Sequence, residues 1–272
     1  MAFLLFFPGL FNLYMSFQRW IPGKTPPIYF VGVKNYLHIF MGDTRFWNSI
    51  FRVFYFTALA VPLALVLGYL IANLFNREFK GKRIFRTLIL LPMVGTPVAV
   101  ALIWRLMYNP MLGIANYLLE IVRLPPSNWI GSQATVIPSL ALVSIWQGTP
   151  LVMLIILAAL QSLPSQFLEA AKLDGASYFQ YVRHIQLPLI KPHIIVALIF
   201  RLIDSLKVFD IIFVMTRGGP GRASETLNLY TFLQAFFYFE IGYASALAVI
   251  LFGMVLMINL ILIRIRVRAW SY

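Results

Sequence analysis

Residues 135–160, TVIPSLALVSIWQGTPLVMLIILAAL, are succeeded after a short gap by Glu169-Ala170-Ala171-Lys172-Leu173-Asp174-Gly175-Ala176-Ser177 and then by Ile185-Gln186-Leu187-Pro188. The first stretch is long and apolar enough to cross a bilayer, whose hydrocarbon core of about 30 Å takes about 20 helical residues. The second and third form a short polar helix–turn–helix in a chain that is otherwise very apolar. A span, a polar knuckle and a return to apolar sequence describe a multi-pass helical membrane protein with a structured loop on one surface.

Composition extends this reading to the whole chain. Hydrophobic residues make up 61% of the 272 positions and charged residues 11%, whereas a soluble domain has slightly under half and about a quarter. Lipid is therefore the solvent for much of the surface. Apolar stretches at 2–17, 49–75, 87–107, 135–160, 193–215 and 241–263 predict an all-α integral membrane protein of about six transmembrane helices. They form a single domain over residues 1–272, with the loop 161–192 between spans four and five. No charged side chain precedes the first stretch, and Pro8-Gly9 with Tyr14-Met15-Ser16 offers no signal-peptide cleavage site. It reads as a first membrane helix whose cytoplasmic start is missing or trimmed.

The net charge of +13 lies in loops between apolar runs, not in a stripe on a soluble face, so it argues for membrane topology and against nucleic acid. Segments 76–86, 161–193 and 264–272 hold eleven Lys and Arg in 53 residues; the alternate loops hold seven in 82. The denser set faces the cytoplasm under the positive-inside rule, which puts both termini inside. There are no cysteines, which excludes disulfides, thiolate metal ligands and Cys nucleophiles. Pro62, Pro92, Pro97, Pro138 and Pro150 with Gly68, Gly95, Gly148 and Gly253 indicate kinked, closely packed helices.

The knuckle reads residue by residue. Pro164 suits an early helical position, and Phe167, Leu168 and Ala171 share a face opposite Glu169 and Lys172. Asp174-Gly175 is a helix stop and Ser177-x-x-Gln180 a capping box for a second short helix. Pro188 and Pro192 are expected to end that helix and turn the chain back to the membrane. The alanines leave a smooth surface for a soluble partner; an amphipathic loop on the headgroups is the competing reading.

In the fifth stretch Arg201, Asp204, Lys207 and Asp210 recur at i, i+3 steps, and such groups cost several kcal/mol if they face lipid. They either wall a translocation path or form a buried structural ladder joining this helix to its partner subunit. The ladder is the expectation for Arg201 and Asp204, and both readings stand for Lys207 and Asp210. Arg105, beside Trp104, reads as a snorkelling anchor. Gly23-Lys24-Thr25 is no phosphate loop, because its first glycine falls on Gln18 and Pro26-Pro27 blocks the required helix. His38, His184 and His193 lack metal-ligand spacing.

The run Glu169-Ala170-Ala171, Gly175 and Ile185-Gln186-Leu187-Pro188 resembles the signature loop of ABC-importer permease subunits. Phe30-Val31-Gly32-Val33-Lys34-Asn35-Tyr36, Ile145-Trp146-Gln147-Gly148-Thr149-Pro150 and Phe209-Asp210 through Gly218-Gly219-Pro220 are similar to the carbohydrate-uptake, maltose-type branch. The resemblance runs from about residue 8 to the last span. It implies a non-catalytic subunit of a binding-protein-dependent importer in the cytoplasmic (inner) membrane of a bacterium or archaeon. Its loop becomes a cytoplasmic coupling helix, with Glu169, Ala170, Ala171, Asp174 and Gly175 facing an ATPase subunit. The resemblance further implies that ATP and Mg belong to two ATP-binding subunits and that a second permease subunit completes a heterodimeric path. A solute-binding protein would meet Gly218, Gly219 and Pro220. Sugar recognition needs aromatic faces and amides or carboxylates near the midplane, which Trp146, Gln147, Lys207, Asp210, Tyr243 and Ser245 supply. Two alternatives remain: an ion-coupled secondary transporter using Asp204 or Asp210, and an importer of another solute such as a phosphorylated polyol or polyamine.

Overall fold

Helix α1 (Ala2–Ser16) packs against the last helix of the chain, and a hairpin of β1 (Gln18–Trp20) and β2 (Ile28–Phe30) links it to α2 (Lys34–Gly42). The strands are antiparallel, Gln18 opposite Phe30 and Trp20 opposite Ile28, a small departure from the all-helical expectation. Asp43 caps α3 (Thr44–Phe75) by accepting the Phe46 N–H at 3.0 Å. Then come α4 (Lys82–Val94), α5 (Pro97–Met107), α6 (Ile114–Ile121) and α7 (Val136–Gln161). The polar knuckle is α8 (Gln166–Leu173) and α9 (Tyr178–Tyr181). Finally α10 (Leu187–Leu206), α11 (Asp210–Met215), α12 (Leu227–Phe236) and α13 (Ile241–Trp270) complete the path. This computed structural model describes residues 2–23, 26 and 28–270. Lys24, Thr25 and Pro27, weighed above as part of a phosphate loop, lie outside the described residues.

The α3–α7 pair is the axis of the molecule. At Gly68 on α3 a Cβ would lie 2.5 Å from Val152 Cγ1 on α7, so glycine is what permits the approach. The apolar stretch of α7 is 61% buried against 17% for α13, which places α7 centrally and α13 at the periphery. One core cluster gathers Phe56, Leu140 and Ile212; a second gathers Phe75, Met153 and Ile190. Among the described residues three helices, Thr44–Phe75, Val136–Gln161 and Ile241–Val267, are long and apolar enough to cross a membrane, and α4 with α5 makes a fourth if counted as one span. At 1.5 Å per residue α3 is about 48 Å long, more than the hydrocarbon core, so its ends reach headgroup depth.

Two stretches expected as continuous spans are broken. Within 87–107 the chain bends by 100° between α4 and α5. Gly95 and Thr96 are both extended there, with ψ of 136° and 141°. The ring of Pro97 disfavours a helical Thr96, yet suits the first turn of α5, where no N–H is needed. Within 193–215 the helix stops at Leu206 and restarts at Asp210, so Asp210 stands on a different helix from Arg201 and Asp204. The freed Lys207 carbonyl accepts from Asn228 Nδ2 at 2.7 Å. Pro188 and Pro192, expected as stops, lie inside α10. A π-turn over Val182–Gln186 carries the chain from α9 into α10, and Pro188 falls in the first turn. Pro192 leaves one backbone bond unmade.

Candidate functional site

The knuckle is built by its caps. Gly175, at φ +71°, closes α8: its N–H donates to Lys172 O at 3.1 Å and that of Ala176 to Ala171 O at 2.9 Å. Ser177 and Gln180 form the reciprocal capping box that starts α9, with bonds of 2.7 and 3.3 Å. Glu169, Ala170, Asp174 and Gly175 are exposed on this knuckle, as are Leu173 and Phe179. Ala171 differs: it is buried, because it lies on the face of α8 turned toward the chain's own core. Gln186 in the π-turn fastens the unit to α3, donating to Asn73 Oδ1 at 2.6 Å and Tyr69 Oη at 3.2 Å.

A cleft of about 480 Å³ opens where the broken helices meet α7. Met93 and Pro97 line it from the α4–α5 bend, Ser144, Gln147 and Gly148 from α7, and Arg201, Asp204, Lys207 and Asp210 from α10 and α11. Ser144, Gln147 and Gly148 share one helical face at i, i+3, i+4. Gln147 reaches toward the Gly95 carbonyl freed by the bend, at 3.4 Å. Arg201 and Asp204 form no ion pair with each other among the described residues. Arg201 is 4% exposed and donates through Nη2 to Ser144 O at 3.2 Å and Ser144 Oγ at 3.1 Å. It lies flat over Gly148, where an added Cβ would fall 2.1 Å from Nη1. Asp204 and Lys207 are exposed and meet at 3.8 Å, a weak contact for groups in reach of solvent. Asp210 is also exposed.

Gln147, Lys207 and Asp210 thus come together, and Trp146, Tyr243 and Ser245 do not join them. Trp146 is 44% exposed and stands edge-on to Trp104 at 5.6 Å. Ser245 is buried in α13, and Tyr243 donates to Asp43, which also accepts from Tyr230 at 2.7 Å. Burial pushes the Asp43 carboxyl up, but the bonds from Tyr243, Tyr230 and the Phe46 amide outweigh it and hold it below its ordinary 3.8. Arg105 is exposed, and its Nη1 donates to Val214 O at the end of α11, at 3.2 Å.

The loop of Gly218, Gly219 and Pro220 is held from within: Ser224 Oγ donates to Gly219 O at 2.7 Å. Beside it Glu225 takes a two-pronged ion pair from Arg45, both bonds 2.7 Å, with the guanidinium 4.5 Å over the Tyr230 ring. Sequence reasoning passes over Ser144, Tyr69, Asn73 and this Arg45–Glu225 pair. Only Ser144 leaves a trace, as a polar residue one turn before Gly148.

Residues 35–268 match the family described as binding-protein-dependent transport system inner membrane component. The trehalose/maltose transport system permease protein MalF of Thermococcus litoralis is 36% identical over 264 residues, 95% of this chain and 86% of that protein. The multiple sugar-binding transport system permease protein MsmF of Streptococcus mutans is 34% identical, over 96% of this chain and 89% of its own. A crystal structure of a bacterial ABC transporter involved in the import of the acidic polysaccharide alginate superposes with a TM-score of 0.83 at 23% identity. The match covers 98% of this chain and 91% of that one, a likeness of fold.

Proposed function

The chain belongs to the family of binding-protein-dependent transport system inner membrane components, and from that premise we propose that it is one of two permease subunits in an ABC importer of a sugar or oligosaccharide. Relatives named for trehalose, maltose and multiple sugars align over nearly its whole length, which supports the solute class. The subunit makes no covalent chemistry; ATP and Mg bind two separate ATP-binding subunits. A solute-binding protein delivers the sugar near Gly218, Gly219 and Pro220, and both termini lie in the cytoplasm. Gln147, Lys207 and Asp210 offer an amide, a cation and a carboxylate to sugar hydroxyls in the cleft.

Glu169, Ala170, Asp174 and Gly175 meet the ATP-binding subunit, with Ala171 supporting them from beneath. Transport is then a two-state equilibrium between outward-open and inward-open forms, biased by contacts that differ at the knuckle. The observation that carries this reading is the exposed α8–α9 knuckle fastened through Gln186 to α3. Glu169→Lys or Gly175→Pro should abolish ATP-driven uptake and weaken copurification with the ATP-binding subunit, while the chain still inserts. Proline at a position with φ +71° also breaks the turn itself. Wild-type uptake by both variants would remove the knuckle from the mechanism.

A further inference from the structure

We propose that the groove between the end of α3 and α9 binds an anionic phospholipid. The groove, about 370 Å³, has Leu70 and Leu74 on one wall and Phe179 and Val182 on the other. Leu70 and Leu74 are each 56% exposed and Phe179 is 69% exposed, so an apolar slot stands open in the last two turns of a membrane-crossing helix. That is the depth at which an acyl chain meets its headgroup.

A basic group closes one end of the slot. Arg77 stacks over the Tyr178 ring at 5.2 Å, and no carboxylate pairs with it among the described residues. Lys80, Arg83 and Arg183 are exposed nearby in the chain, while Glu78, the acid of this segment, is engaged by Lys82 at 2.7 Å. An uncompensated positive rim attracts lipids with net negative charge, at about 1 kcal/mol per basic side chain. A peptide strand is a poorer fit. It needs partners for its amides, whereas Asn73 already holds Gln186 and the Tyr69 carbonyl through its own side chain. An acyl chain needs none. The inference depends on the groove and its charges, and not on the sugar assignment.

The test uses the full chain, with any partners that copurify, in phosphatidylcholine nanodiscs doped with an acyl-photoactivatable phosphatidylglycerol. Label should map to residues 69–77 and 178–182 and be displaced by excess phosphatidylglycerol, but not by phosphatidylcholine. Arg77→Gln should lower labelling about fivefold, the factor that corresponds to one basic contact. Leu74→Trp, which fills the slot and keeps Arg77, should lower it as well, with both variants running as wild type on size exclusion. Equal labelling by a phosphatidylcholine probe, or undiminished labelling of Arg77→Gln, would overturn the lipid site. So would disulfide or maleimide crosslinking of a Leu74→Cys variant to a copurified protein in place of lipid labelling.

Discussion

Gly148 and Arg201 act as one steric unit. The guanidinium fits because no side chain projects from Gly148, and its two bonds to Ser144 hold it there. Gly148→Ala must push a buried arginine aside, and overpacking of this kind costs about 1–3 kcal/mol. The variant should unfold at lower temperature in detergent. Adding Arg201→Met removes the clashing group, so the double variant should be less damaged than the two single losses predict, by about 1 kcal/mol or more. Strict additivity would show that the two residues do not compete for space. Arg45 and Glu225 pose a different problem, because Glu225 is only 2% exposed. Arg45→Met leaves that carboxylate buried without its partner, a loss of about 3–5 kcal/mol. Replacing both, Arg45→Met with Glu225→Leu, should recover most of the folded yield by fluorescence-detected chromatography.

Among helices, glycines that look alike in the sequence behave differently according to what faces them. Gly68→Ala brings a Cβ to 2.5 Å from Val152 Cγ1 and 3.1 Å from the Met153 amide nitrogen. It should destabilise the α3–α7 pair, and Val152→Ala should rescue it only in part, since the backbone contact stays. Gly253→Ala meets nothing within 4 Å and should be neutral or gain up to about 1 kcal/mol from helix propensity. Thermal midpoints of wild type and these three variants decide the matter. The same distinction between local and remote causes explains what is legible in the sequence. The caps at Asp174-Gly175 and Ser177-x-x-Gln180 act within a turn, so reading them requires only their own residues. The bend at Gly95-Thr96-Pro97 is marked by its residue types, but an apolar count gives a span's length and not its direction. The break at 207–209 has no glycine or proline; it is stabilised by Asn228, 21 positions later, and a linear pattern has no access to that bond. Spacing along one helix likewise points Arg201 at Asp204, because its true partner, Ser144, lies on another helix.

Across the molecule, α10 runs from the π-turn that follows the knuckle to the wall of the cleft. It starts from the π-turn beside α9 and, about 30 Å away, ends at Asp204 and Lys207 on the cleft wall. A push on α8–α9 therefore reaches the cleft only if the lower end of α10 moves as a unit with its surroundings. Gln186 sets that condition: it is 3% exposed and bonded to both Asn73 and Tyr69 of α3, so α3 and α10 shift together at this level. Gln186→Leu keeps the volume and removes both bonds, taking from Asn73 Oδ1 its 2.6 Å donor at a cost of about 1–3 kcal/mol. If force passes by this route, proteoliposomes of the variant complex should still hydrolyse ATP but import less solute per ATP than wild type. Asn73→Leu combined with Gln186→Leu should restore part of the stability, because the Asn73 amide is no longer left without its donor, without restoring the ratio. A normal uptake-to-hydrolysis ratio in Gln186→Leu would mean that α10 transmits motion without help from α3.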